Sequence, residues 1–155
     1  MEKKNRYHWA FLVGPKVEAA TEVPGTRYHV KNRPLEGWLY EEVKLRNVRN
    51  TSNLLVRVVV AKVEDEARLT KLLRGVPIEQ DDPGWRCRDW MASALESLKL
   101  ERGVVGTSVL DWETIEGAAR NFAGEKTRAG RYRDSSLTQL PKPTWNMLKN
   151  RETTS

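Results

Sequence analysis

The chain has 155 residues, 39% of them hydrophobic and 31% charged, which suits one domain with a buried core and argues against a disordered polymer. No apolar run approaches the roughly 18 residues needed to cross a bilayer, and the polar start Met1–Arg6 does not read as a secretory signal. The net charge of +6 is concentrated in residues 126–155, which carry seven Lys and Arg against two acids, so the first 125 residues hold 20 basic and 19 acidic groups and no nucleic-acid partner is expected.

The predicted elements begin with a strand over Arg6–Val13, stopped by Gly14-Pro15. A loop over Val17–Gly25 leads to a second short strand, Thr26–Val30, and a third, Gly37–Leu45, opened by glycine. Asn53–Val63 is a β-branched run with almost no alternation, which predicts a central strand of the same sheet. Strands following one another without intervening helices predict a small antiparallel or mixed sheet over residues 6–63.

The periodicity then becomes helical. Glu64–Arg74 has acids in its first turn and Arg74-Gly75 at its end, and Cys87–Lys99 places 87, 90, 91, 94, 95 and 98 on one apolar face. Gly103–Val109 reads as a turn with a short strand, and Asp111 caps a further helix from Trp112 to about Ala123. Beyond Gly130 periodicity is weak, so the expected organisation is a single α+β domain over 1–130 and a basic, extended tail over 131–155.

Scarcity singles out the residues able to carry chemistry. The two histidines, His8 and His29, lie in consecutive predicted strands, and the single cysteine, Cys87, opens a helix directly after a Pro-Gly turn. One cysteine precludes an internal disulfide and fits a reducing, cytoplasmic setting. A helix start offers unpaired N–H groups and a positive dipole end, and Arg86 and Arg88 flank the sulfur; each effect favours the thiolate and a developing oxyanion. The bland alternatives are a small buried hydrophobe at Cys87 and hydrogen-bonded structural histidines. Glu41-Glu42 and Asp81-Asp82 read as surface features, because neighbours on a strand face opposite ways and the second pair is a turn. Trp9, Trp38, Trp85 and Trp90 are candidate pocket walls, with core packing the competing explanation. His8, His29, Cys87 and Asp89 could together ligate a metal, but no metal or other cofactor is expected.

The segment Tyr7-His8-Trp9-Ala10-Phe11-Leu12-Val13-Gly14 resembles the "HWA-x-x-VG" strand of lecithin:retinol acyltransferase-like proteins, members of the circularly permuted papain-like thiol hydrolases and acyltransferases. Tyr28-His29 is similar to that family's second histidine, and Arg86-Cys87-Arg88-Asp89-Trp90 matches its "N-C-E-H-F" segment in outline. The start also looks similar to small fungal proteins opening "HWA-x-LVGP". The resemblance implies a papain-like domain with a small antiparallel sheet packed on the cysteine helix. It also implies Cys87 as nucleophile, His8 as its base and His29 as the residue orienting His8. The expected activity is hydrolysis or acyl transfer on an amide, ester or thioester. Trp9, Trp85 and Trp90 are then expected to bind a small-molecule or peptide substrate, with oligomeric state left open. Two other readings are a cyclase or isomerase using His8 as acid/base and a binding domain without turnover.

Overall fold

The structure is a computed structural model that describes residues 7–155; Met1–Arg6, including the first residue of the predicted strand Arg6–Val13, lie outside the described residues. In chain order the elements are β1 (Phe11–Val13), β2 (Gly25–Arg33), β3 (Gly37–Leu45), β4 (Arg57–Val59), β5 (Ala61–Val63), α1 (Glu66–Arg74), α2 (Cys87–Leu100), β6 (Val105–Ser108), α3 (Trp112–Arg128), β7 (Thr144–Asn146) and β8 (Arg151–Thr154). The class is α+β, with strands β1–β3 grouped at the start and helices following. Among the described residues no helix is long and apolar enough to cross a membrane.

β1, β2 and β3 form an antiparallel sheet in that order. The β2–β3 hairpin turns through Pro34–Glu36 and closes at Gly37, whose φ of 77° lies in the left-handed region that favours glycine. The Gln80 side chain clamps the strand start, accepting from Trp38 N–H at 2.9 Å and donating to Trp38 C=O at 2.7 Å. This closure fixes a register in which Tyr28 lies opposite Glu42, His29 opposite Glu41 and Val30 opposite Tyr40. Alternation along the strands then divides the side chains between two faces.

One face builds the core. Tyr28 and Val30 are buried with α2 residues Trp90, Met91, Ala94, Leu95 and Leu98, and Trp9, Phe11, Val13, Trp38 and Tyr40 pack against them. Trp90 is wholly buried, with ring contacts to Phe11 at 5.7 Å and Tyr40 at 5.8 Å. Leu69 and Leu73 of α1 and Ile115 of α3 complete the cluster. The α1 and α3 starts follow the sequence, with Asp65 and Asp111 accepting from Arg68 and Thr114 N–H. α3 runs past the expected Ala123 to Arg128, carried through Gly124 by a last turn of polar helix formers.

Two expectations are corrected. The Asn53–Val63 run is not one central strand of the first sheet. It breaks at Val60: β4 pairs in parallel with β7, while β5 pairs antiparallel with β6 through an irregular register. Its valines are half-buried, because the two halves take different partners. Nor is 131–155 an extended tail. β7 lies between β4 and β8, Pro143 and Thr144 are fully buried, and Trp145 packs on Phe122 at 5.9 Å. Two of the basic groups that suggested solvation are buried and hydrogen-bonded instead. Arg131 donates to Leu137 and Pro141 C=O, and Lys142 Nζ donates to Asn50 Oδ1 at 2.7 Å. Strands of three or four residues are too short to show alternation, which is why the pattern was silent.

Ending the chain at Leu140 removes β7 and β8 and leaves β4 unpaired. The expected outcome is a urea midpoint lowered by the equivalent of about 3 kcal/mol or more, comparable to deleting a large core side chain. An unchanged midpoint would show that the segment only decorates the surface.

Candidate active site

His8 lies just before β1. Continuing the β1–β2 register past Phe11↔Tyr28 sets Ala10 opposite His29, so His8, two residues earlier, shares the His29 face on a diagonal. The geometry bears this out in contact: His8 Nε2 lies 2.7 Å from His29 Nδ1. His29, itself buried, places its Nε2 2.9 Å from Oε1 of Glu41, its cross-strand partner. The other Glu41 oxygen is 3.0 Å from Lys31 Nζ and 3.8 Å from Arg33.

This chain of contacts determines where the protons sit. The hydrogen bond from Lys31, then that from His29, holds Glu41 below the usual carboxylate range, so it is an acceptor only. His29 must therefore donate from Nε2, which leaves its Nδ1 as acceptor, and His8 must donate from Nε2 in turn. His8 Nδ1 is left with a free lone pair. Burial pushes His29 down despite its bond to Glu41. Burial, followed by the fields of His29 and Arg27, pushes His8 down to about 4, although the outer part of the residue still meets solvent. A neutral base backed by a carboxylate two groups away is the result; Glu41 can stabilise the imidazolium that forms when His8 takes a proton.

Cys87 opens α2 and is buried among core residues. His8 and Cys87 line one cleft of about 210 Å³, walled by Tyr7, Trp9, Trp38, Arg86 and Arg88. Burial raises the Cys87 thiol above its ordinary value; the backbone N–H groups of Trp9, Arg88 and Cys87 act against that, and Asp89 adds to it. Burial thus favours the neutral thiol against the helix-start effects that favour the thiolate. Arg86 turns its guanidinium back onto the carbonyls of Pro83 and Trp85, 2.7 and 2.8 Å away.

Of the tryptophans expected to bind substrate, Trp9 lines the cleft and packs edge-on against Trp112 at 4.9 Å. Trp85 is buried and sits edge-on to Trp38, backing the cleft wall without lining it. Trp90 is a correction: wholly buried between β1, β3 and α2, it reaches no ligand. Glu41 was taken as a surface group, yet it anchors the histidine pair. Its signal was in the hairpin: a turn at 34–36 pairs positions summing to 70, which sets 41 against 29. Glu42 does face the other way, onto Arg74. Among the described residues no group of His, Cys, Asp and Glu is arranged to hold a metal ion.

Comparison with known families matches a family of unknown function, DUF6914, over residues 1–154. The chain belongs to DUF6914. No curated protein and no solved structure matches it. For this DUF6914 chain, what the site does must be argued from its own residues.

With two histidines in the sequence, nitrogen NMR resolves each ring. Both are expected as Nε2–H tautomers at pH 7, with His8 titrating near pH 4, and Glu41→Gln is expected to disturb both rings. Because the folded pKa of His8 lies below its ordinary 6.5, the unfolded chain binds more protons between those values. The stabilising contribution is full above about pH 6.5 and lost as pH falls towards 4. A His8 midpoint at 6.5 or above would contradict the assignment.

Proposed function

We propose that the chain is a cysteine-dependent hydrolase or acyltransferase on a papain-like fold, acting through a Cys87 acyl-enzyme. The observation that carries the reading is the His8–His29–Glu41 relay, which supplies an oriented, neutral base in the cleft that Cys87 shares. The order of His8, His29 and Cys87 in the sequence and the helix-start position of the thiol agree with the acyltransferase-like resemblance.

In this mechanism the thiol proton passes to His8 Nδ1 as the sulfur bonds to the carbonyl carbon. Backbone N–H groups at the start of α2 receive the oxyanion. The tetrahedral species collapses with cleavage of the bond to the leaving group, which takes the proton back from His8. Water or an amine then attacks the thioester with His8 again as base, and Cys87 regains its proton. Transfer occurs as the sulfur attacks, since thiol and imidazole are both neutral at rest. Glu41, through His29, stabilises the charge that appears on His8.

A second reading has one specific observation in its favour. The buried, raised thiol suits a site in which His8 alone works as acid/base, in a cyclase or isomerase, and Cys87 is structural. Intact mass after incubation with p-nitrophenyl acetate separates the two. The acyl-enzyme reading expects one acetyl adduct at Cys87, absent in Cys87→Ala and formed at least about tenfold more slowly in His8→Ala, within the usual range for losing a general base. Its rate should rise through pH 4 as His8 deprotonates and rise again at alkaline pH, above the ordinary thiol range. No adduct on the folded wild type, with Cys87→Ala unaltered in stability, would remove the thiol from the mechanism.

A further inference from the structure

Several arginines of this molecule, none of them in the cleft wall, are matched to carboxylates. Arg57 holds Glu18 through two bonds of 2.8 Å, Arg74 holds Glu42, Arg68 meets Glu101 and Arg120 meets Glu116. The cleft departs from this pattern. Arg88 is half-buried in its wall, and its side chain has no hydrogen bond or ion pair among the described residues. Arg86 contacts only carbonyl oxygens with its side chain. Arg27, close enough to depress both histidines, has a buried Nε without a partner. Asp89, the next residue in the chain, has one oxygen taken by the Arg86 backbone N–H at 2.7 Å.

A half-buried guanidinium without a counter-charge loses hydration and gains nothing in exchange. Its planar fork matches the two oxygens of a carboxylate or phosphate. We propose that the Cys87 cleft binds an anionic acyl donor, with Arg88 holding a carboxylate or phosphate beside the reacting carbonyl. This rests on the acyl-enzyme reading for the word donor, while the anion site rests on the arginines alone. The cleft volume of about 210 Å³ limits the buried part to a short group of a few heavy atoms, of the size of a succinyl or phosphoacetyl unit. Arg88 is thereby a specificity residue, distinct from the base and the nucleophile.

The test uses the full chain carrying Cys87→Ser, so that binding is read without chemistry. The His8 ring signals are followed during titration with succinate, inorganic phosphate and the neutral succinamide. Saturable shifts with an anion and none with succinamide are expected, and Arg88→Gln in the same background should weaken binding at least about threefold, with Arg88→Lys restoring part of it. Saturation by succinate alone assigns a carboxylate, and by phosphate alone a phosphate. No saturable shift with either anion, or equal response to succinamide, overturns the proposal.

A parallel measurement on the wild type keeps the two readings apart. Iodoacetate and iodoacetamide alkylate the same sulfur, each losing iodide, and differ in charge. The iodoacetate-to-iodoacetamide rate ratio at Cys87 should exceed that of free cysteine and fall in Arg88→Gln. Anion binding with no alkylation by either reagent would support the anion site and remove the nucleophile. Ready alkylation at the free-cysteine ratio, with no anion binding, would keep the nucleophile and remove the anion site.

Discussion

The register between β2 and β3 is the constraint on which the rest depends. With Gly37 closing the turn and Gln80 clamping Trp38, position 29 meets 41 and position 30 meets 40. The even residues Tyr28, Val30 and Tyr40 go to α2 and build the core, while His29 and Glu41 join on the opposite face. A slip of one residue would carry His29 into the core and expose Val30, so the burial of one face enforces the chemistry of the other. His8 is the third member because the same alternation continues into the segment before β1.

The resting electrostatics of the site follow from burial more than from charge. Helix-start N–H groups and flanking arginines would favour a thiolate, but Cys87 is packed into the core cluster and Arg86 is engaged with carbonyls. Both histidines are held neutral in the same way, with Glu41 as the one fixed anion of the relay. The site is therefore uncharged at Cys87 and His8 and cationic at its walls. That combination suits a base that acts during attack and a substrate that brings its own negative charge.

The histidine pair and the cysteine were legible because so few residues could carry chemistry, and α1, α2 and α3 were legible because their apolar stripes, and the Asp111 cap of α3, are local signals. The role of Glu41 was not, since an isolated Glu-Glu pair carries no mark of which member turns inward. Trp90 looked like a pocket wall for the same reason: an aromatic close to Cys87 in sequence lies a turn away on a helix, here on the core side. The docked end of the chain was hidden by its basic composition, although Arg131 is bonded to carbonyls of its own segment and Lys142 to the side chain of Asn50.

Sequence alone determined the class, the helices, the strands that become β2 and β3, and the three residues worth testing, because propensity, periodicity and turn chemistry act over short stretches of chain. Tertiary structure alone decided that Glu41 completes the relay, that burial favours the neutral thiol, that β4 pairs with β7, and that the Arg88 side chain stands without a partner among the described residues. Each of these depends on burial and on contacts between segments remote in sequence, and neither is set until the chain has closed on itself.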